Sequence, residues 1–387
     1  MITLPTAPHD TTPVAFSTLN LDPRLARAIA EYGFATTTPV QSAVYPTVLA
    51  GTDLVGCAQT GTGKTIAFLL PVLQRLLGQA GQVRAQHGRV TRLLVLAPTR
   101  ELAAQIEEDA RTLTKHAPLA TVAVYGGVGT TPQARALRAG IDIVVATPGR
   151  LLDHIRAGAA RFTHLDTLVL DEADRMLDMG FWPDVMRIVA ALPTTRQTLL
   201  FSATTSADVM KAAARIMRDP QVIQVGRTGG LATTITHVRH EMTHDQKLAW
   251  LTRFLTRTGG KALVFVRTKH RADRLVRRLE TSQIRCAALH ANRSQNQRAA
   301  AVEGFGSGRV DVLVATDIAA RGLDIEQVAH VINFEVPQTP DAYVHRVGRT
   351  GRAEATGTAI TLVDPEERGT MRTIERTLNL LMEERLA

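Results

Sequence analysis

The organisation of this 387-residue chain follows from one stretch, Ala58-Gln59-Thr60-Gly61-Thr62-Gly63-Lys64-Thr65. It follows an apolar run at 53–57 and precedes a segment at 66–77 whose apolar residues recur at helical spacing. A glycine-rich loop between a strand and a helix holds phosphate with backbone N–H groups and the positive end of the helix dipole. There Lys64 reaches the outer phosphates and the Thr65 hydroxyl ligates magnesium. The stretch predicts a nucleoside triphosphate site; a glycine-rich turn without nucleotide is the alternative, since Ala58 replaces the usual first glycine.

Length and composition indicate two α/β domains in a reducing compartment. A chain of 387 residues is too long for one ordinary core, and its 45% hydrophobic content is ample for two. Cys57 and Cys286 are far apart, which favours neither a disulfide framework nor a zinc site. The first fourteen residues lack a signal-peptide core, and no apolar run approaches the roughly 20 residues of a membrane span. We expect a cytoplasmic protein with no membrane partner.

The net charge favours a polyanionic partner. The formal charge is +9 and the pI is near 10.1, and nucleic-acid-binding proteins are commonly basic. Many basic proteins bind nothing acidic, so the charge alone leaves both interpretations open.

Short apolar runs alternate with helical stretches along most of the chain, which predicts parallel sheets wound with helices. In the first half we expect strands near 54–57, 93–97, 122–125, 143–146, 167–170 and 198–201. In the second half we expect them near 262–266, 285–289, 312–315, 330–333 and 358–362. A weak repeat relates 142–150 to 311–322, yet the second half has no Gly-Lys-Thr. We therefore expect the second domain to contribute to the first domain's site rather than bind its own nucleotide.

Two acidic residues end the apolar run at 168–170. Acids at the carboxyl end of a buried parallel strand lie where such sheets bind ligands. Asp171 is thus expected to hold magnesium through its water shell, and Glu172 to orient or deprotonate the attacking water. The alternative is a solvated acidic turn.

Three further motifs each follow a predicted strand of the first half: 98–102 (Pro-Thr-Arg-Glu-Leu), 126–127 (Gly-Gly) and 147–150 (Thr-Pro-Gly-Arg). Threonine hydroxyls, arginines and exposed glycine amides at one sheet edge are suited to a nucleic-acid backbone. For any one of them taken individually, an ordinary turn or N-cap is the favoured interpretation. The Ser-Ala-Thr at 202–204 is ambiguous in the same way.

The densest arginine cluster is at 343–352, where Arg346, Arg349 and Arg352 recur every three residues. Arginines from a second domain can complete a triphosphate site as fingers that neutralise developing charge. Simple salt bridging is the alternative.

Together these motifs closely resemble the DEAD-box family of ATP-dependent RNA helicases, from about Phe16 to Asp364. Asp-Glu-Ala-Asp at 171–174 is the family's namesake, and AQTGTGKT, PTREL, TPGR, SAT, VATDIAARGLD and HRVGRTGR occur in family order. The compact core is most similar to bacterial members near the RhlE group. The resemblance implies two tandem RecA-like domains with a cleft between them, ATP and Mg²⁺ as cofactors, and single-stranded or short duplex RNA as partner.

The resemblance also implies roles for individual residues. The nucleotide would be held by Phe16 and Gln41 at adenine, by the loop from Ala58 to Thr65, and by Gly322 and Asp324 at the ribose. Catalysis would use Lys64, Asp171, Glu172 and the fingers Arg349 and Arg352. Coupling to RNA would use Asp174, Ser202, Thr204, His345 and Arg346. The RNA backbone would meet Thr99, Arg100, Gly126, Gly127, Thr147, Gly149, Arg150, Gln295, Arg298 and Thr316.

The implied domain limits are a disordered segment at 1–15, an adenine-recognition region at 16–42, an ATP-binding domain at 43–225, a linker at 226–235 and a C-terminal domain at 236–387. Thr37 stands where the adenine motif usually has proline, so we expect a less rigid turn and slightly weaker nucleotide selectivity. The segment after Asp364 is short and slightly acidic. Substrate choice is then expected to come from the core or from a protein or ribonucleoprotein partner.

Two rival functions remain open at this point. An ATP-gated RNA clamp or assembly scaffold would use the same catalytic residues, with hydrolysis only resetting binding. A DNA translocase is the less favoured rival; contacts to the 2′-hydroxyl would distinguish it.

Overall fold

The computed structural model describes residues 11–58, 61–87, 89–225, 234–290, 292–320, 328–351 and 356–386. The chain divides into two compact units, Met1–Thr228 and Gly229–Ala387. Several residues singled out above lie outside the described residues: Gln59, Thr60, Gly322, Asp324, Arg352 and, in the expected linker, 226–233.

Parallel strands form the centre of the first unit. They are β1 (Leu54–Cys57), β2 (Leu93–Leu96), β3 (Thr121–Val124), β4 (Ile143–Ala146), β5 (Thr167–Leu170), β6 (Gln197–Ser202) and β7 (Gln221–Gln224). They pair in the order β3-β4-β2-β5-β6-β1-β7, and every pairing is parallel.

Helices cover this sheet. After a 3-10 turn at Phe16–Thr18 they are α1 (Pro23–Glu31), α2 (Pro39–Leu49), α3 (Lys64–His87), α4 (Arg100–Leu113), α5 (Thr130–Ala139), α6 (Pro148–Arg156), α7 (Ala173–Asp178), α8 (Trp182–Ala190) and α9 (Ala207–Ala214). Leu93 and Val95 of β2 pack in the core on one face, whereas Leu94 and Leu96 pack on the other. Because both faces are buried, the central strands are continuous apolar runs.

The second unit repeats this plan. Its strands are β8 (Ile235–Glu241), β9 (Ala262–Phe265), β10 (Cys286–Leu289), β11 (Val312–Ala315), β12 (His330–Asn333), β13 (Gly357–Val363) and β14 (Glu383–Leu386). They pair in parallel in the order β10-β11-β9-β12-β13-β8-β14. The helices are α10 (His244–Thr258), α11 (Lys269–Glu280), α12 (Gln295–Gly306), α13 (Asp317–Ala320), α14 (Pro340–Val347) and α15 (Arg368–Leu378).

The α/β fold with mainly parallel sheets is confirmed, and each predicted strand coincides with an observed one to within one or two residues. The sequence did not predict β7, β8 and β14. Each is interrupted by polar residues, as in the sequence Ile-Thr-His-Val-Arg-His-Glu of β8. Near the edge of a sheet fewer apolar residues are needed, and charge there discourages pairing with other chains.

Two expected segment limits need correction. Residues 11–15 belong to the expected disordered segment, yet the Thr37 N–H donates to the Val14 carbonyl (2.8 Å) and Ala15 forms an antiparallel bridge with Thr36. These pairings hold the chain just before Phe16. At the expected linker, Ile235 is already the first residue of β8 and is buried.

Candidate nucleotide and RNA site

The phosphate loop joins β1 to α3 and ends at Lys64, the first residue of that helix. Gly61 and Gly63 have φ values of +81° and +87°, a region that favours glycine. The Lys64 side chain is buried, and its ammonium donates to the Ala58 carbonyl (2.9 Å). The loop thus ends at a buried cation at the amino end of a long helix, where Thr65 lies in the first turn and Thr62 precedes it.

The two candidate acids follow β5 directly. Asp171 is buried, and burial raises the pKa of its carboxyl to about 6, although the nearby Lys64 charge acts against this. Glu172 has a left-handed backbone (φ +52°), an uncommon conformation for a residue other than glycine. Its carboxylate accepts a hydrogen bond from Arg175 Nη1 (2.8 Å). The geometry therefore brings Asp171 to Lys64 and fixes the direction of Glu172.

The end of β6 connects the phosphate loop to the acidic helix. The Ser202 carbonyl accepts from the Ala58 N–H (3.1 Å), and the Ser202 hydroxyl accepts from the Thr204 N–H (3.2 Å). The Asp174 carboxylate accepts from the Ala203 N–H (3.0 Å). These hydrogen bonds connect the loop to 202–204 and connect 202–204 to α7.

The adenine-recognition region contacts the phosphate loop through Gln41 in α2. The Gln41 amide oxygen accepts from the Thr38 N–H (2.8 Å), and its nitrogen donates to the Gly63 carbonyl (3.2 Å). A Cβ at Gly63 would approach this nitrogen to 2.6 Å. Gln41 therefore connects the adenine-recognition region to the phosphate loop, and it is also a candidate for hydrogen bonding to adenine.

Phe16, the residue expected to stack on adenine, and the neighbouring Phe34 differ in exposure. Phe16 is only 6% exposed because it packs in the core, whereas Phe34 is 42% exposed. The Phe34 ring stacks on Tyr32 with centroids 4.9 Å apart. The sequence offered one signal for Phe34, its position directly after Gly33. Phe16 stays the predicted stacking residue, and Phe34 is a second candidate.

The turn at Thr37 is held by side-chain hydrogen bonds. The Thr37 hydroxyl accepts from the Val14 N–H (2.9 Å) and lies 2.6 Å from the Ser42 hydroxyl. Together with the N–H of Thr37, which a proline would lack, these contacts fix the turn. The expectation of a less rigid turn with slightly weaker nucleotide selectivity stays a prediction.

The candidate RNA residues of the first unit lie where β2, β3 and β4 end. Thr99 caps α4, accepting from the Leu102 N–H (3.4 Å), and the adjacent Arg100 side chain lies so close to Gly127 that a Cβ there would collide with it. Thr147 and Gly149 begin α6. Arg150 donates to the Val128 carbonyl (3.1 Å). Because the strands are parallel, these residues, with Gly126, share one edge of the sheet.

The second unit repeats the arrangement. Gln295 begins α12 after β10, and Thr316 follows β11. Arg298 donates to the Ala319 carbonyl (3.4 Å). His345 lies on α14, and Arg349, two residues beyond that helix, is 5% exposed.

Arg346 is engaged within its own unit. It is 2% exposed and pairs with Asp317 (2.5 Å), donates to the Asn333 amide oxygen (3.1 Å) and stacks on the Phe265 ring (5.1 Å). The guanidinium thus joins α14 to the start of α13, whose preceding residue is Thr316.

Within the described parts of the chain, no cluster of three or more His, Cys, Asp or Glu side chains is arranged to hold a metal ion. Mg²⁺ in nucleotide sites typically takes one or two carboxylates and completes its shell with substrate phosphates and water. One buried carboxylate, Asp171, and the Thr65 hydroxyl fit that donor set. No described helix is long and apolar enough to cross a membrane.

Comparison with known proteins gives two family matches and many relatives. Residues 38–212 match the DEAD/DEAH box helicase family and 246–354 the helicase conserved C-terminal domain. The ATP-dependent RNA helicase CshA of Listeria monocytogenes is 42% identical over 369 residues, 95% of this chain and 69% of the relative. CshA of Bacillus subtilis is 40% identical over 371 residues, 96% of this chain and 74% of the relative.

Solved structures agree with this grouping. S. cerevisiae Dbp5 bound to RNA and ADP BeF3 has a TM-score of 0.86 at 28% identity, covering 96% of this chain and 95% of that chain. Mss116p bound to ssRNA and AMP-PNP has a TM-score of 0.87 at 27% identity, covering 98% and 81%. Two RecA-like domains, the ordered motifs and these relatives agree, and the chain belongs to the DEAD-box family of ATP-dependent RNA helicases.

Proposed function

We propose that this helicase hydrolyses ATP at the strand edge of its first unit and couples hydrolysis to RNA binding and local separation of short duplexes. The observation that carries the proposal is the buried Asp171 carboxylate beside the Lys64 ammonium, directly after the phosphate loop and β5. A cation and a buried acid at the amino end of α3 match the charges of a magnesium-bound triphosphate.

Asp171 and Thr65 are the residues that would hold Mg²⁺. The ion supplies charge neutralisation at the β- and γ-phosphate oxygens. Lys64 adds a point charge on the outer phosphates, and Gln41 presents amide donors and acceptors suited to the edge of adenine. Phe34, the exposed ring next to the buried Phe16, offers a second candidate stacking surface.

Glu172 is the proposed general base or water-orienting group. The Arg175 guanidinium, 2.8 Å from its carboxylate, holds the side chain in place by a charge-assisted hydrogen bond. Asp174 acts through the Ala203 N–H and therefore positions the 202–204 segment rather than touching the nucleotide.

RNA recognition is proposed to use phosphate and sugar rather than base edges. Threonine hydroxyls, arginines and helix starts at the strand ends of each unit are suited to backbone contacts, which carry no sequence information. Arg349 and Arg352 would serve as fingers, Gly322 and Asp324 would approach the ribose, and Gln59 and Thr60 would complete the loop. Protein or ribonucleoprotein partners would then choose the substrate.

The test is ATP turnover with and without RNA, paired with release of a strand from a short duplex. Glu172→Gln should lower turnover by about 10²–10⁴-fold, because the amide keeps the shape but cannot accept a proton. Binding of ATP and RNA should be retained. Glu108→Gln, at an exposed site on α4, is the matched control and should behave as wild type.

Two outcomes would change the conclusion. Wild-type turnover by Glu172→Gln would remove Glu172 from the mechanism. RNA-stimulated turnover without strand release would favour the RNA clamp over the helicase.

A further inference from the structure

One face of α11 in the second unit is entirely basic. The residues that pack into the sheet are Ala272, Leu275, Val276 and Leu279. The other positions of the helix include five basic residues, His270, Arg271, Arg274, Arg277 and Arg278. All five are exposed. We call His270, Arg274, Arg277 and Arg278 the α11 ridge; Arg271 is excluded because it pairs with Glu335.

The arginines of the α11 ridge are available for a ligand. Among the described residues, Arg274 and Arg278 have no acidic partner, and Arg277 donates only to the Asp273 carbonyl of its own helix (3.3 Å). Asp273, the nearest acid on α11, is already used by His290 (3.0 Å) and Arg293 (2.7 Å). The ridge charge is therefore not neutralised within the unit.

The α11 ridge starts where the parallel strands of the second sheet have their carboxyl ends, which is also where the candidate RNA residues lie. Thr268 caps α11 immediately after β9, accepting from the Arg271 N–H (3.3 Å). Since β9, β10 and β11 are parallel, this cap shares an edge with the candidate RNA residues Gln295 and Thr316. Arg274 and Arg278 are one helical turn apart, about 6 Å. A helix of twelve residues is about 18 Å long, so the ridge extends from that edge along the outer surface.

The fold does not require this charge. In the two sheet orders β2 and β9 occupy the same place, so α4 is the helix that corresponds to α11. The caps agree too: Thr99 and Thr268 both have φ −131°, with ψ 157° and 153°. Yet α4 carries four acidic and two basic residues, whereas α11 carries two acidic residues and five lysines or arginines. The basic face is a property of the second unit.

We propose that the α11 ridge binds the phosphate backbone of RNA that continues beyond the strand held at the sheet edge. The proposal rests on the proposed function, because it needs RNA at that edge. Arginines at regular spacing bind phosphates bidentately. The ridge presents charge and no apolar side chain, which suits a solvated polyanion rather than an apolar protein surface.

The experiment compares two double variants of the full chain in complex with a non-hydrolysable ATP analogue. Arg274→Ala/Arg278→Ala removes two ridge charges. Arg253→Ala/Arg257→Ala removes two exposed arginines with the same spacing from α10 and is the control. Affinity is measured for a single strand of about 8 nucleotides, within the size of one core site, and for one of about 25.

The ridge variant should bind the long strand about five- to tenfold more weakly, and the slope of log K against log salt should fall by about 1.4 for two lost phosphate contacts. Short-strand affinity and the control should match wild type. Equal weakening in both double variants, weakening for the short strand as well, or no weakening at all would each overturn the proposal. If wild type shows no RNA-stimulated turnover, the proposed function fails; if it does and the ridge variant binds normally, only the ridge fails.

Discussion

The two units share one sheet topology but use the same edge in opposite ways. In the two strand orders, each of β1 to β7 has its counterpart among β8 to β14 at the same place. β5 is followed by Asp171 and Glu172, and its counterpart β12 is followed by Phe334 and Glu335. A glutamate therefore occupies the second position after the corresponding strand in both units.

The partners of these two glutamates differ. Glu172 bonds Arg175 on the following helix. Glu335 is 2% exposed, accepts from the Arg267 N–H (2.6 Å) and pairs with Arg271 on α11. In the second unit the carboxylate thus joins three elements of the fold, whereas in the first it is held beside the nucleotide loop.

The connection after the corresponding first strand differs as well. Six residues separate β1 from α3 and form the phosphate loop, but only Met242 and Thr243 separate β8 from α10. The lysine of α10, Lys247, is fully buried and pairs with Glu367 (2.5 Å) and Asp364 (3.3 Å). In the second unit this lysine is thus paired with two carboxylates, whereas in the first unit Lys64 donates to a backbone carbonyl. Topology alone does not make a nucleotide site.

The largest expected effect comes from breaking the closed network, by which we mean the ion pairs of Lys247 with Asp364 and Glu367. Lys247→Met should destabilise the second unit by about 3–5 kcal/mol, because it removes the fully buried cation that pairs with Glu367 and Asp364. Thermal or denaturant unfolding of the full chain measures this. Lys211→Met is the control, since that lysine is exposed and its ion pair with Asp208 is worth about 1 kcal/mol or less. Equal stability of the two variants would mean that the ion pairs of Lys247 do not stabilise the second unit.

The next largest effect is expected at Lys64 in the phosphate loop of the first unit. Lys64→Ala should weaken ATP binding by about 10- to 100-fold, since it removes one charge-assisted contact with phosphate. Stability should change less than in Lys247→Met, because the hydrogen-bond acceptor of Lys64 is a neutral carbonyl, although the Lys64 charge also acts on Asp171. Isothermal titration with ATP checks the first statement and a melt checks the second. Loss of ATP and RNA binding together with a lowered melting temperature would point to misfolding instead.

The smallest effect is expected at Thr37. Thr37→Val keeps the shape but removes the hydroxyl that accepts from Val14, worth about 1 kcal/mol, and should raise the KM for ATP by about fivefold with kcat unchanged. Thr36→Val, one residue earlier and exposed, is the matched control. The ratio of KM values for ATP and GTP tests selectivity. An unchanged KM in Thr37→Val would show that this turn does not position the nucleotide.

The predictability of the fold followed burial. Strands such as β2 and β11 are buried on both faces, and their apolar runs identified them. β14, Glu-Glu-Arg-Leu, is charged because it lies at a sheet edge, so neither apolar content nor alternation marks it.

The site was predictable at the level of motifs but not of contacts. Lys64 and Asp171 follow from a loop and a strand end. The bond between Asp174 and Ala203 joins residues 29 apart in the sequence and depends on the pairing of β5 with β6. Phe34 is more exposed than Phe16 because of how the two rings pack, and this cannot be read from the spacing of residues in the sequence.

The closed network of the second unit also constrains how such a protein can evolve. If the two units descend from one ancestral domain, a second working nucleotide loop could be regained only through intermediates that disturb the ion pairs of the buried Lys247. Replacing Lys247 would leave the buried Glu367 with Arg267 as its remaining ion-pair partner among the described residues. Each single step loses stability before any ligand can restore it. The different roles of the two units are therefore easy to acquire by accumulating ion pairs. They are hard to reverse one substitution at a time.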